Sequence, residues 1–208
     1  MPAALAKTVK AAGTGDVLVA MPAALPQKNN QKSKLKMEIV FSIIIPTYNR
    51  HNELSNCLKA LIKIEYPQNY FEVIIIDDGS KIPVNITKFK KWLNISLIRQ
   101  KNSGPAKARN TGAEIAKGKF LVFTDDDCIA DTNLLKNLEI RIKEKPNCLI
   151  GGKTINALPN NIYSTASQEL INYLYSYYNN PEKPNFFTSN NFTLPKSYGS
   201  SVLSMLKY

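Results

Sequence analysis

The chain has 208 residues, 44% of them hydrophobic and 21% charged, a globular composition that excludes disorder over the whole length. Its net charge of +11 suits nucleic acid, an anionic membrane or an acidic small molecule. Because the basic residues are scattered without an arginine-rich helix, we expect no nucleic acid and favour a peripheral membrane contact, with a solvated basic surface as the alternative. Three cysteines without a Cys-x-x-Cys pair indicate reduced thiols, so we expect a cytoplasmic protein. Combined with the favoured membrane contact, this predicts a position at the inner face of the membrane.

Residues 1–36 differ from the rest of the chain. The sequence Met-Pro-Ala-Ala-Leu at residues 1–5 recurs at residues 21–25, and the segment then becomes polar and basic. It lacks the order of charged, apolar and small residues that is typical of a secretory signal. We predict a flexible N-terminal extension over residues 1–36 and one folded domain over residues 37–208.

From residue 37 onward, short apolar runs alternate with segments of helical periodicity. The runs predict strands buried on both faces, and the amphipathic segments predict helices that cover them. This alternation is typical of an α/β fold with a mostly parallel sheet flanked by helices. The predicted strands are 41–45, 71–76, 95–99, 120–123 and one from about 148. The predicted helices are one capped by Asn52 and ending near residue 64, one over 105–117, one capped by Asp131 or Thr132 and ending before Pro146, and one from about 166.

The first predicted strand ends in Pro46-Thr47-Tyr48-Asn49-Arg50. Ligands of parallel sheets bind beyond the carboxyl ends of the strands, where a tyrosine can stack on a planar base. Backbone groups beside Pro46 can bond the edge of that base, and Arg50 can reach a phosphate. An ordinary turn with an exposed tyrosine is the alternative.

Polar residues also follow the second and third predicted strands. Residues 77–80 are Asp-Asp-Gly-Ser, where the carboxylate of Asp78 can accept hydrogen bonds from a base or from ribose hydroxyls; an Asp-Gly turn is the alternative. Residues 103–105, Ser-Gly-Pro, open a helix whose free N–H groups suit a diphosphate. Lys107 and Arg109 add cations near this end, although an ordinary surface helix would have the same pattern.

Three adjacent acids, Asp125, Asp126 and Asp127, come directly after the fourth predicted strand. Their charges repel one another, at a cost that no simple turn requires. A divalent cation would relieve the repulsion, and ligation by oxygen alone suits Mg²⁺ or Mn²⁺. Such an ion would join the protein to a diphosphate, whereas a loop of solvated acids is the alternative.

These four motifs occur in the order and spacing seen in family 2 glycosyltransferases, which the chain resembles over roughly residues 41–197. The resemblance implies a GT-A fold and an inverting transfer of sugar from a nucleoside-diphosphate sugar, with a UDP-sugar favoured. It implies an acceptor glycan or lipid-linked sugar, in the synthesis of surface polysaccharides or glycolipids. It also implies Mn²⁺ or Mg²⁺ as the cofactor.

The resemblance extends to single residues. The loop Pro46-Thr47-Tyr48 would hold the base, and Asp78 would contact uracil. The acidic triplet matches the family's D-x-D motif, in which Asp126 would be the direct metal ligand and Asp127 the alternative ligand. Asp125 would bond ribose or phosphate.

The resemblance breaks after about residue 192. The family often supplies its general base from an acidic pair in that region, but the only acids beyond Glu144 are Glu169 and Glu182. We therefore expect a truncated or divergent carboxyl-terminal end, leave the catalytic residue unknown, and expect a chain that binds a nucleotide-sugar but transfers it poorly. The alternatives are a non-catalytic nucleotide-sugar-binding protein and a nucleotidyltransferase, the second of which usually has a glycine-rich loop after the first strand.

Overall fold

The computed structural model describes residues 7–10, 18–19, 38–180, 183–184 and 186–198. Within these residues the helices are α1 (His51–Ile62), α2 (Pro105–Ile115), α3 (Leu134–Glu144) and α4 (Ile162–Tyr178). The strands are β1 (Lys7–Lys10), β2 (Leu18–Val19), β3 (Phe41–Thr47), β4 (Phe71–Asp77), β5 (Ile95–Arg99), β6 (Phe120–Thr124), β7 (Cys128–Ala130), β8 (Ile150–Gly151), β9 (Lys153–Asn156), β10 (Asn179–Asn180), β11 (Lys183–Pro184) and β12 (Asn191–Pro195).

Among the described strands, seven form the central sheet in the order β2-β8-β12-β6-β3-β4-β5. Strands β6, β3, β4 and β5 run parallel to one another, whereas β12 is antiparallel to both β6 and β8. Every residue of β3 and β4 is buried, as expected for strands covered on both faces. The predicted α/β fold with a mostly parallel sheet is confirmed, and the carboxyl ends of its parallel strands share one edge.

Alternate residues of the parallel strands face two apolar cores. One core joins the strands to the apolar stripes of α1 and α3, and the other joins them to the small residues of α2. Ile43 and Ile45 belong to the first core and Ile44 to the second, because successive side chains of a strand point to opposite faces. Gly112 lets α2 lie close to the sheet, since a Cβ at this position would meet Ile44 Cγ2 at 2.5 Å.

The helices differ from the predicted ones at both ends, and α1 and α2 each end two residues before the predicted end, at Ile62 and Ile115. The predicted cap of α1, Asn52, is wrong: the helix begins at His51, with Arg50 at its N-cap position and no side-chain cap. Helix α3 begins later, after Asn133. Helix α4 begins earlier than predicted, because the side chain of Asn161 accepts a hydrogen bond from Ser164 N at 3.1 Å and caps the first turn.

Two short strands, β1 and β2, come from the segment predicted to be a flexible extension. Strand β1 pairs in parallel with β7 and antiparallel with β9, and β2 pairs with β8. These residues are therefore held by backbone pairing, which the composition of the segment did not indicate. The remaining residues of 1–36 lie outside the described part of the chain, and the division into 1–36 and 37–208 stays a prediction.

Candidate functional site

A cleft opens at the carboxyl ends of β3, β4 and β6. Its cavity volume is about 600 Å³, within the usual range of small-molecule sites. The cleft lies between the loop after β3, the acids after β6 and the loop that leads into α2. The lining residues are Pro46, Thr47, Tyr48, Arg50, Asp78, Asn102, Gly104, Pro105, Arg109, Asp125, Asp126 and Ser189.

Asp126 is the most buried acid of the triplet. Its side chain is 4% exposed, against 12% for Asp127 and 28% for Asp125. Thr47 Oγ1 donates a hydrogen bond to Asp126 Oδ2 at 2.7 Å, and Arg50 donates to Asp126 Oδ1 at 2.9 Å. Arg50 also donates to Asp127 Oδ2 at 3.2 Å, so one guanidinium relieves part of the repulsion within the triplet.

Burial raises the pKa of Asp126 from 3.8 to about 6. The hydrogen bond from Thr47 and the charge of Arg50 lower this pKa, whereas the charges of Asp127 and Asp125 raise it. Asp126 therefore gains a proton in mildly acidic solution, at a higher pH than an exposed aspartate does. Its ionisation at neutral pH depends on Thr47 and Arg50.

Arg109, on α2, forms the second ion pair of the cleft. One terminal nitrogen of its guanidinium donates to Asp125 Oδ1. The Arg109 side chain is 8% exposed, and its Nε has no hydrogen-bond partner among the described residues. Because Arg109 also lines the cleft, its guanidinium is suited to attract an anionic group.

Asp78 joins the end of β4 to the loop before α2. Its Oδ1 accepts hydrogen bonds from Gln100 Nε2 at 2.7 Å and Ser103 N at 2.9 Å, and its Oδ2 accepts one from Gly104 N at 2.8 Å. Gly104 has a φ of 88°, a conformation that favours glycine. The Asp78 carboxylate thus positions the loop that precedes α2, and its contact with a nucleotide base stays a prediction.

Tyr48 lies at the rim of the cleft with 44% of its surface exposed. The next residue, Asn49, has a φ of 56°, and its backbone N–H donates to Ser80 Oγ at 2.9 Å. The Asn49 side chain accepts a hydrogen bond from Lys81 N at 2.7 Å. These bonds fix the loop after β3 to the loop after β4 and leave the tyrosine ring partly open to solvent.

The cleft brings together most of the predicted site residues, and two lie outside it. Lys107 is exposed on α2 and is absent from the lining. Asp127 is also absent from the lining, and its carboxylate forms an ion pair with Arg50. The predicted residues that line the cleft are Pro46, Thr47, Tyr48, Arg50, Asp78, Arg109, Asp125 and Asp126.

Ser189 lines the cleft, although it was not among the predicted site residues. It precedes β12, which pairs with β6 so that Asn191 lies opposite Thr124. The neighbouring Thr188 donates its backbone N–H to the hydroxyl of Tyr175 on α4 at 3.2 Å. A distant strand brings Ser189 beside the acids, and only the strand pairing reveals this position.

The oxygen atoms of the cleft fit a hard divalent cation. Asp125 and Asp126 place carboxylates on the lining, and such ligands suit Mg²⁺ or Mn²⁺. Among the described residues, no group of three or more histidine, cysteine, aspartate or glutamate side chains is arranged to hold a metal. A cation in this cleft would therefore need further oxygens from a bound ligand or from water.

A mostly parallel sheet, with acids and arginines in a cleft at its carboxyl edge, is an α/β fold of the kind that the GT-A resemblance implies. The sequence profile of glycosyl transferase family 2 matches residues 42–205. The chain belongs to this family, and the resemblance seen in its motifs is confirmed. The match takes in all four motifs and, apart from Phe41, the parallel strands β3, β4, β5 and β6.

Relatives of the chain are longer proteins. The chain is 31% identical over 169 residues to an uncharacterized glycosyltransferase of Haemophilus influenzae, which covers 81% of this chain and 53% of the relative. It is 31% identical over 138 residues to the poly(ribitol-phosphate) beta-N-acetylglucosaminyltransferase TarS of Staphylococcus aureus, which covers 62% of this chain and 24% of TarS. The crystal structure of S. aureus TarS 1–349 with UDP-GlcNAc has a TM-score of 0.48 and 33% identity, covering 51% of this chain and 32% of that one. The chain thus spans about half the length of the first relative and about a quarter of the second.

Proposed function

We propose that the cleft binds a nucleoside-diphosphate sugar, with a UDP-sugar favoured, and that the protein transfers the sugar to an acceptor hydroxyl. The observation that carries this proposal is the placement of Arg109, Asp125 and Asp126 in one cleft with Tyr48 and Asp78. A nucleotide-sugar has a flat base, ribose hydroxyls and a diphosphate. These groups call for a stacking surface, hydrogen-bond acceptors and cations, and the cleft offers all three.

The base and ribose are proposed to lie beside the loops after β3 and β4. The ring of Tyr48 is partly open there and offers a stacking surface. Asp78 Oδ2 accepts a hydrogen bond from Gly104 N, and a carboxylate oxygen has room for a second donor such as a base N–H. This arrangement supports the role that the family resemblance implies for Asp78.

The diphosphate is proposed to lie between the start of α2 and the arginines. Helix α2 begins with Pro105 and has no side-chain cap, so its first N–H groups are suited to an anion. Arg109, which lines the cleft, adds a guanidinium cation. Arg50, which pairs with Asp126, supplies a second guanidinium.

A divalent cation, Mn²⁺ or Mg²⁺, is proposed at the acidic triplet with Asp126 as its direct ligand. Asp127 shares the guanidinium of Arg50 and becomes available as the alternative ligand when that arginine turns towards a phosphate. Bound there, the ion would neutralise charge on the departing nucleoside diphosphate. Asp125, held by Arg109, would stay free of the ion and bond ribose or phosphate.

The acceptor half of the reaction is proposed from the family resemblance: an inverting attack by a hydroxyl of a glycan or a lipid-linked sugar. Such an attack needs a general base. Glu169 is exposed on α4 and lies outside the lining of the cleft. Glu182 lies outside the described residues, so we assign the base to neither.

The test is a panel of UDP-, GDP- and dTDP-sugars, in which binding and turnover are measured with Mn²⁺ present. Arg109→Gln and Lys107→Gln form a matched pair on α2, since each removes one cation but only Arg109 lines the cleft. Losing a charged hydrogen bond costs about 1.5–3 kcal/mol, so Arg109→Gln is expected to weaken donor binding by roughly 10- to 100-fold.

Lys107→Gln is expected to bind the donor as the unaltered protein does. Equal losses in the two variants, or no binding of any donor, would contradict the proposal. Binding without any turnover would instead support the non-catalytic alternative.

A further inference from the structure

The edge of the sheet at β5 carries a strongly basic segment. Residues 79–113 include eight lysines and arginines and no aspartate or glutamate, which corrects the expectation that the basic residues are scattered. Residues 81–92 lie in this segment and take no part in lining the cleft. Residues 83–87 and Lys90 instead border a groove along β5.

Exposed lysines and apolar side chains alternate with buried residues in this segment. Trp92 is 55% exposed and Ile82 is 70% exposed. Buried residues between and beside them belong to the core that includes α1, and they hold the backbone so that the remaining side chains face solvent. The basic strip is defined by six exposed residues: Lys81, Ile82, Lys88, Lys90, Lys91 and Trp92.

The lysines of the basic strip form no ion pair with any described carboxylate. Lys88 Nζ contacts Ser55 Oγ at 3.3 Å and lies 5.0 Å from the ring of Phe89. Lys91 Nζ lies 5.0 Å from the ring of Trp92. Lysines elsewhere do pair, for example Lys136 with Glu65 at 2.7 Å. The positive charge of the strip is therefore not neutralised by described acids of the protein and can attract an external anion.

We propose that the basic strip docks the protein on an anionic phospholipid surface. Lysines near such a surface are attracted by its negative potential, and tryptophan is favoured at the boundary between headgroups and acyl chains. A soluble polyanion would match the lysines but not the exposed side chain of Ile82. None of the described helices is long and apolar enough to cross a bilayer.

The strip adjoins the cleft. Lys81 N donates to Asn49 Oδ1 at 2.7 Å, and Asn49 follows Tyr48 of the cleft rim. A docked protein would therefore hold its cleft close to the membrane surface, where a lipid-linked acceptor lies. This last consequence rests on the proposed function, whereas the docking itself does not.

Trp92 is the single tryptophan of the chain, so its fluorescence reports on the strip alone. With vesicles that contain phosphatidylglycerol, we expect co-sedimentation and a blue shift of the emission, and with pure phosphatidylcholine vesicles we expect neither. Salt at about 1 M, where the Debye length is about 3 Å, should release the protein. The triple variant Lys88→Gln, Lys90→Gln, Lys91→Gln should lower partitioning roughly a hundredfold, at about fivefold per lysine.

The matched control is the triple variant Lys136→Gln, Lys143→Gln, Lys145→Gln, which removes the same charge from α3 and the residue that follows it and should partition like the unaltered protein. The docking proposal is overturned by an equal loss in both triples. It is equally overturned if polyphosphate or DNA binds while anionic vesicles give no blue shift. Binding of UDP should be the same in both triples and the unaltered protein; if UDP fails to bind to all three, the proposed function fails and the docking result stands on its own.

Discussion

Arg50 and Asp126 form an ion pair of 2.9 Å within the cleft, and the same guanidinium lies 3.2 Å from Asp127. In the absence of a ligand, the arginine supplies the positive charge that two crowded carboxylates require. A divalent cation at these acids would compete with Arg50 for the same oxygens. A bound diphosphate would give Arg50 another anionic partner and remove the competition.

Replacing Arg50 with methionine should therefore strengthen the binding of Mn²⁺ in the absence of nucleotide. The expected gain is roughly fivefold, the scale of one partly exposed charge pair. A titration followed by the electron paramagnetic resonance of free Mn²⁺ measures it. Arg141→Met, which breaks the surface pair with Glu144, is the control and should change nothing. Weaker Mn²⁺ binding in Arg50→Met would show that the arginine supports the metal site instead of competing for it.

Asp78→Ala should weaken the binding of UDP by about 1.5–3 kcal/mol, the cost of a lost charged hydrogen bond. The loss could come from a missing contact with the base or from a displaced loop, because Asp78 also accepts hydrogen bonds from Ser103 N and Gly104 N of the loop before α2. If the carboxylate contacts the base, only UDP loses affinity; if it only positions the loop, inorganic diphosphate loses as much. Calorimetric titration of both ligands distinguishes the two, and unchanged UDP affinity in a folded variant would reject either role.

The pKa of Asp126 predicts a dependence of stability on pH. Its pKa is about 6 in the folded protein against 3.8 in the unfolded chain, so between these values the folded state binds more protons. The free energy of unfolding should then fall as the pH rises from about 4 to about 6, by at most roughly 3 kcal/mol from this group. Urea unfolding across this range measures the slope. Asp126→Asn should remove this contribution, and an unchanged slope in that variant would assign the effect to other groups.

Gly118 is predicted to tolerate no side chain. A Cβ there would lie 2.6 Å from Ser42 N and 2.7 Å from Phe41 C, both backbone atoms of β3. Gly118→Ala should lower the free energy of unfolding by about 2 kcal/mol or more, because an overpacked core must shift its backbone. Lys117→Ala, at the exposed neighbouring position, is the control for chemical denaturation. Equal stability of the two variants would mean that the backbone of β3 can shift to accommodate the methyl group at little cost.

Local pattern was sufficient to predict the parallel strands and the side chains at their ends. Runs such as Phe41–Thr47 are apolar on both faces, so burial and strand type follow together. Once parallel strands are inferred, their carboxyl ends must share an edge, and this places Asp78 and Asp126 near Tyr48. The bounds of the helices were less accurate, because capping by a residue such as Asn161 depends on loop geometry.

The pairing of strands that are far apart in the sequence could not be predicted from local residue patterns. Ser189 lies in the cleft because β12 pairs with β6, and nothing in its neighbouring residues indicates that partner. The position of Lys107 was also ambiguous, since it and Arg109 are two residues apart and a helix turns about 200° over that distance. The ion pair between Arg50 and Asp126 required the fold, because the residues come from different strand ends.

The central claim is that Asp126 joins a divalent cation to a nucleoside diphosphate in this cleft. Calorimetric titration of UDP tests it most directly, with Mn²⁺ and with chelator, in the unaltered protein and in Asp126→Asn. We predict that UDP binds more tightly with Mn²⁺, and that Asp126→Asn removes the gain while keeping the affinity measured in chelator. The same Mn²⁺-dependent gain in Asp126→Asn, or no binding of UDP by the unaltered protein, would contradict the account.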